Sequence, residues 1–326
     1  MKQLVFKELI SIVHDILHVY LTLLKIMVPA LLVVKGLELM GAIELISMLL
    51  SPVMTAVGLP STMGIVWATT MLTNIYGGMI VFFELSANES LSVAQVTVLG
   101  CMMLIAHGLP VEGAIAKKAG VTWRATLSIR IFGALIFGVL LNIIYQYFGY
   151  LQETNILLWQ PELVKPTLLE WCVEQIKTLA LIFLIIIALI TLLRVLKWLH
   201  IETLMHWLLS PLLKLLGLSK EASNITIIGI TLGLSFGGGL LIKEAESGAL
   251  TSKDIFIAMS LLALCHSLIE DTLLIMLLGA HISGIFWGRL AFSIAFISIM
   301  TRLLSWKEGS PSYRFCISKI PEKNTK

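Results

Sequence analysis

The chain has 326 residues, of which 58% are hydrophobic and 13% charged, and its formal net charge is +3. A soluble domain carries about 25% charged residues, so a water-soluble globular enzyme is excluded for want of polar surface. A charge this small names no partner, and no nucleic-acid binding is expected.

Residues 3–18 read as an amphipathic helix that leads into an apolar span at about 19–40. Residues 43–56 form a shorter apolar piece, interrupted at Pro52. Residues 61–84 are apolar and contain Gly77-Gly78. Ser92 followed by Gln95 is a capping-box pattern that starts the next helix, and Pro110 and Gly113 disturb that helix near its end. Residues 121–148 read as a long span. Beyond a polar, Pro-containing linker at 151–165, a long helix covers about 167–200 and a short piece ends at Ser210-Pro211. An apolar stretch at 222–242 carries Gly237-Gly238-Gly239, and Thr251 with Asp254 resembles a second capping box. A helix bearing His266 follows, then a last span at about 284–305 and a polar tail from Lys307. Spans of this length and the missing barrel alternation predict an all-α polytopic membrane protein. The four cysteines share no spacing that predicts a disulfide framework or a metal knuckle. The first helix is interrupted by Lys7, Glu8, His14 and Asp15, so no cleavable signal is expected there.

The second half of this plan repeats the first. Ser51-Pro52 through Gly58-Leu59 recurs as Ser210-Pro211 through Gly217-Leu218, and His107-Gly108-Leu109 as His266-Ser267-Leu268. Glu112 falls opposite Asp271, and Arg130 opposite Arg289, all at an offset of 159 residues. Gly77 and Glu84 match Gly237 and Glu244 after a one-residue shift. The predicted units are therefore a first repeat at 1–150, a linker at 151–165, a second repeat at 166–306 and a tail at 307–326.

Lysines set the orientation. Lys117 and Lys118 fall opposite Met276 and Leu277, whereas Lys214 and Lys220 fall opposite Thr55 and Ser61. Basic loops stay in the cytoplasm, so equivalent loops of the two halves are expected on opposite sides. The basic tail is expected inside, as is the N-terminus, and the linker outside; Lys35, near the expected outer end of the first span, runs against the scheme. Two inverted-topology repeats follow. Crossing parity then allows segments 61–84 and 92–109 only one crossing between them, so a broken or re-entrant helix is required in each half. The glycine clusters and the His107-Gly108-Leu109-Pro110 run are the expected breaks.

The paired Ser-Pro…Gly-Leu elements, the Gly-Gly…Glu elements and the paired His-(Gly/Ser)-Leu motifs resemble the Gate, or nucleoside-recognition, domain family over most of residues 20–305. Related modules occur in concentrative nucleoside transporters, in the membrane part of the ferrous-iron uptake permease and in spore maturation membrane proteins. The resemblance implies a transporter-type protein of the cell inner membrane. No G-x-x-x-x-G-K-[ST] run occurs, so the GTPase part of the iron system is missing.

Candidate solute- or ion-binding residues are His107, Glu112, His266, Glu270 and Asp271, since charge within a bilayer usually has a partner and a purpose. His266 and Glu270 share a face if their helix continues. The competing reading is that these groups cap broken helices or lock the halves together. Glu84 and Glu244 follow the glycine clusters and either hold a cation or lie solvated at a segment end. Asn74 and Ser235 either bind solute at a broken helix or satisfy local backbone. Arg130 and Arg289 either counter the acids, bind an anion or snorkel to an interface, the last being the expectation. His14-Asp15-His18 gives two ligands at most, so no metal site is expected, nor any cofactor. No catalytic motif is present, so the chain is not expected to be an enzyme. Its expected partners are the lipid bilayer, a small solute or ion, and a second copy or another membrane subunit. The alternative function is a structural or regulatory subunit that transports nothing.

Overall fold

The computed structural model describes residues 2–87, 89–157, 167–199, 201–304, 306 and 310–318. Parts of the expected linker and tail, 158–166, 307–309 and 319–326, lie outside the described residues. Fifteen α-helices and one π-helical turn make up the described fold. The first seven are α1 (Lys2–Leu39), α2 (Ala42–Ala56), α3 (Met63–Leu72), α4 (Ile75–Ser86), α5 (Val93–Ile105), α6 (Leu109–Ala119) and α7 (Trp123–Tyr147). Then follow α8 (Leu168–Trp198), α9 (Ile201–Leu215), α10 (Lys220–Leu232), α11 (Leu234–Ser247), α12 (Ser252–Cys265) and α13 (Glu270–Met276). The π-helical turn Ser283–Gly288 opens the last long helix, α14 (Arg289–Leu303), and α15 (Pro311–Cys316) ends the described chain.

Among the described residues, five segments are long and apolar enough to cross a bilayer: Ile16–Leu39, Trp123–Tyr147, Leu168–Leu192, Ser252–Met276 and Ser283–Leu303. The pair α5 and α6, bent by 42°, makes a sixth if it is one broken span. In an apolar 18-residue stretch of Ser252–Met276, 72% of residues are buried, against 22% in that of Ile16–Leu39 and 28% in that of Leu168–Leu192. The segment holding α12 therefore runs through the interior, while α1 and α8 are peripheral. A small apolar cluster ties these two outer helices together through Met27, Leu31, Trp171, Ile182 and Ile186.

Two helical hairpins reach into the centre. In the first, α3 and α4 return to one end, where Thr62 Oγ1 donates to Glu89 Oε1 at 2.6 Å. Its tip is Thr73-Asn74, where Asn74 Oδ1 caps α4 by accepting from Gly77 N at 2.9 Å. In the second, α10 and α11 meet at Gly233, whose φ of +99° suits only glycine. The expected breaks at the glycine clusters are thus displaced. Gly77-Gly78 and Gly237 lie inside helices and serve close packing instead. A Cβ on Gly78 would stand 2.9 Å from Met103 and run into Thr70, and one on Gly237 would stand 2.9 Å from Gly229 N.

Prolines also differ from expectation. Pro52 and Pro211 sit inside α2 and α9 and end neither. One lost backbone hydrogen bond does not stop a helix that its neighbours hold in place. Residues 3–18 are helical and run without a break into the span that follows, as one helix α1.

Backbone bridges and side-chain hydrogen bonds fix which loops share an end. Ser92 pairs with Thr154, and Asn155 donates to Leu278 O, which puts the start of α5 beside the close of α13. At the other end Val121 pairs with Ile317, and the Ser252 and Tyr313 hydroxyls lie 3.1 Å apart. There the end of α6 and the start of α12 lie together, under α15. The capping box of α5 forms fully, with Ser92 and Gln95 exchanging bonds of 3.2 and 3.0 Å. Thr251 caps α12 from Asp254 N, but the Asp254 carboxylate accepts from Ser219 N rather than from Thr251 N. The second box is therefore half a box that also ties down the base of the α10–α11 hairpin.

Candidate functional site

Two broken helices create the site. Helix α5 ends at Ile105, and His107 follows in the turn to α6. Helix α12 ends at Cys265, and His266 caps it in an extended conformation. The turns are alike: Gly108 has φ +54°, and Ser267, at the equivalent position, has φ +45°. Each turn rests on a hairpin. Gly108 N donates to Thr70 O at 3.0 Å, and Leu268 N to Ile230 O at 2.8 Å.

The His107 and His266 Nε2 atoms face each other at 3.1 Å, although 159 residues separate them. His107 Nδ1 lies 3.1 Å from Met103 O, and His266 Nδ1 lies 2.7 Å from Leu262 O. A carbonyl oxygen only accepts, so both Nδ1 atoms carry the proton and donate it. In the neutral rings both Nε2 atoms are then bare lone pairs. Glu112 Oε1 adds a third acceptor, 3.0 Å from His107 Nε2 and 3.5 Å from His266 Nε2. Three acceptors this close repel one another unless positive charge lies among them.

Two arginines frame the cluster, and both are fully buried. Arg130, on α7, pairs with Glu112 Oε2 through Nη1 and donates from Nε to Ile105 O at 2.7 Å. Arg289 donates from Nε to Leu264 O at 2.9 Å and from Nη2 to His266 O at 3.0 Å and Leu104 O at 3.3 Å. Each guanidinium satisfies the open carbonyls at the end of a broken helix. The expectation of interfacial, snorkelling arginines is therefore overturned, because neither side chain reaches a surface. Their recurrence at one offset inside apolar spans was the sequence signal for this role.

The other candidates divide. Asp271, 7% exposed, aims Oδ2 at His266 Nε2 from 4.0 Å, and that oxygen accepts no hydrogen bond among the described residues. His107, His266 and Asp271 can each place one ligand atom within 4.8 Å of the others. Glu270 opens α13. The helix does not continue from His266 to Glu270, because Ser267 turns the chain, so the expected shared face does not exist. Glu84 belongs to a different contact, accepting from Trp171 Nε1 at 2.8 Å and Gln175 Nε2 at 2.6 Å on α8. Lys35 lies over the same Trp171 ring, 5.5 Å from its centroid, and pairs with Glu38 at 2.8 Å. Glu244 accepts from the Ser247 hydroxyl near the end of α11, and Asn74 is a local cap. The Ser235 side chain lies outside the described residues.

No known family profile matches the chain, and no solved structure matches it. It is 28% identical to the uncharacterized membrane protein YvoD of Bacillus subtilis (strain 168) over 302 residues, covering 89% of this chain and 92% of that protein. With that relative and its long apolar helices, the chain is an all-helical membrane protein.

Proposed function

We propose that this protein is a transporter of the Gate type that moves a small solute or ion across the cytoplasmic membrane, with His107, His266, Glu112 and Asp271 at its centre. The observation that carries the reading is the meeting of the two broken helices at one buried cluster of acceptors, His107 Nε2 on His266 Nε2 at 3.1 Å beside Glu112. Such a cluster, away from water, has an evident use in holding positive charge. A cation is therefore the favoured cargo or coupling ion.

An inverted pair of repeats fits the chain path. From Ser92 to Ala119 the chain runs from the linker end to the tail end, and from Ser252 to Leu278 it runs back. The α3–α4 hairpin enters from the linker end, where Gln95 Nε2 holds Gly58 O. The α10–α11 hairpin enters from the tail end, where Asp254 holds Ser219 N. Lys117, Lys118, Lys214, Lys220 and Arg314 gather at the tail end, in agreement with a cytoplasmic tail. Broken elements from two inverted halves, meeting midway, are the usual architecture of an alternating-access site.

The test is flux in liposomes. The purified chain is reconstituted with a pH-sensitive and a metal-sensitive dye inside, and proton, sodium, magnesium and zinc gradients are imposed in turn. At least one gradient drives entry through the parent protein, and the double variant His107→Ala/His266→Ala, still inserted, passes none. Equal flux through that variant contradicts the reading. No flux through the parent, together with an obligate membrane partner on purification, assigns the chain a supporting role instead.

A further inference from the structure

We infer that the two histidines and their carboxylates form a binding site for a divalent first-row transition-metal cation, shared between the two halves of the chain; this rests on the cation site proposed above. The linear spacing of histidines names no such site, because its ligands come from segments 159 residues apart.

The geometry is that of a coordination shell. His107 Nε2, His266 Nε2 and Glu112 Oε1 form a triangle with edges of 3.1, 3.0 and 3.5 Å. Ligands about 2.0–2.2 Å from a tetrahedral ion stand about 3.3–3.6 Å from each other. Small movements therefore suffice to seat an ion among these atoms. Asp271 Oδ2 is buried, accepts no hydrogen bond among the described residues, lies 4.0 Å from His266 Nε2 and can come within 4.8 Å of a ligand nitrogen of both histidines, so a shift of its side chain brings it in as a further ligand. The outer groups match as well. A metal-bound imidazole commonly donates its second N–H to a backbone carbonyl, which fixes the tautomer and leaves the other nitrogen bare. Met103 O and Leu262 O do this here, at equivalent positions of the two halves. Arg130 holds the second oxygen of Glu112 and so orients the first.

Charge permits a cation. Arg130 and Arg289 are offset by Glu112 and Asp271, and both guanidiniums also sit on helix C-terminal carbonyls. Each helix C-terminus carries about half a negative charge. The N-termini of α6 and α13, which open at the same breaks, return about half a positive charge each, so the surroundings are close to neutral and carry no net positive charge that would exclude a cation. Two imidazole nitrogens with carboxylate oxygens select borderline ions such as Zn2+, Fe2+ or Co2+ over Mg2+ and Ca2+, which take oxygen shells.

Equilibrium dialysis of the full chain in detergent, stripped with a chelator and titrated with Zn2+ under excess Mg2+, tests the inference. The parent binds a single Zn2+ that Mg2+ does not displace. His107→Gln and His266→Gln each weaken binding by more than about tenfold, while His206→Gln, which alters a partner of Asn224, leaves it unchanged. Absorption at the zinc edge on the parent needs no variant and shows two imidazole nitrogens at about 2.0–2.1 Å. No retained Zn2+, displacement by Mg2+, a shell without imidazole, or binding unchanged in both glutamine variants overturns the inference. Zinc bound without flux leaves the metal site standing and removes the transport reading. Flux of another ion without zinc binding does the reverse.

Discussion

Arg130 and Glu112 form a buried ion pair that has no twin in the other half. The equivalent residues are Arg289 and Asp271, yet Arg289 Nη1 and Asp271 Oδ2 each lack a hydrogen bond among the described residues. The two halves thus hold their arginines on matching carbonyls, Ile105 O and Leu264 O, but differ in how the acid is placed.

Removing one partner of the buried pair leaves the other charge uncompensated, at a cost of about 3–5 kcal/mol. Arg130→Met is therefore expected to lower the melting temperature in detergent sharply. Arg130→Met/Glu112→Gln is expected to recover much of the loss, because neither charge then remains. A single variant as stable as the parent removes this pair from the account of stability.

Ser267 holds a left-handed conformation that its counterpart, Gly108, adopts freely. A side chain there costs about 1 kcal/mol. Ser267→Gly is expected to raise the melting temperature. Gly108→Ala is expected to lower it and to disturb the site, since its Cβ would stand 3.3 Å from Glu112 Oε1. Equal melting temperatures for Ser267→Gly and the parent would show that the turn carries no strain.

Glu84 is bonded to α8 rather than to the histidines. Glu84→Gln is expected to keep any flux the parent has, while costing about 1.5–3 kcal/mol of stability through two weakened charged hydrogen bonds. Loss of flux in a protein that still melts as a folded species would return Glu84 to the pathway.

Gly100 on α5 leaves room for Ile275 on α13, whose side chain would collide with a Cβ there, while Ala280 stands at ordinary contact distance. Gly100→Ala is expected to cost about 1–3 kcal/mol by overpacking. A stability equal to the parent's would mean that α13 shifts without penalty.

Much of the helical layout follows from local rules that act between near neighbours. Ser92 and Thr251 sit at helix starts because their hydroxyls cap free N–H groups, a relation of near neighbours. The breaks were harder to place. Gly77-Gly78 and Gly237 mark close helix contacts, whereas the turns fall at Thr73-Asn74 and Gly233, and only packing between α3 and α4 or α10 and α11 tells these roles apart. The pairing of His107 with His266 was hinted at by their common offset. Its consequence, two bare nitrogens on one acceptor cluster, depends on carbonyls four residues back and on Glu112 from one half alone. Arg130 and Arg289 were misread because an arginine near the start of an apolar span looks interfacial until its acceptors are seen inside.

The most direct measurement is nitrogen NMR of the protein with labelled histidine, assigned through His107→Gln and His266→Gln and titrated with Zn2+. Both rings should carry the proton on Nδ1 throughout, and both Nε2 signals should move together and saturate at one ion per chain. A ring that ignores the metal, a ring protonated on Nε2 in the zinc-bound protein, or two signals saturating at different zinc concentrations would contradict a single cation shared by the two halves.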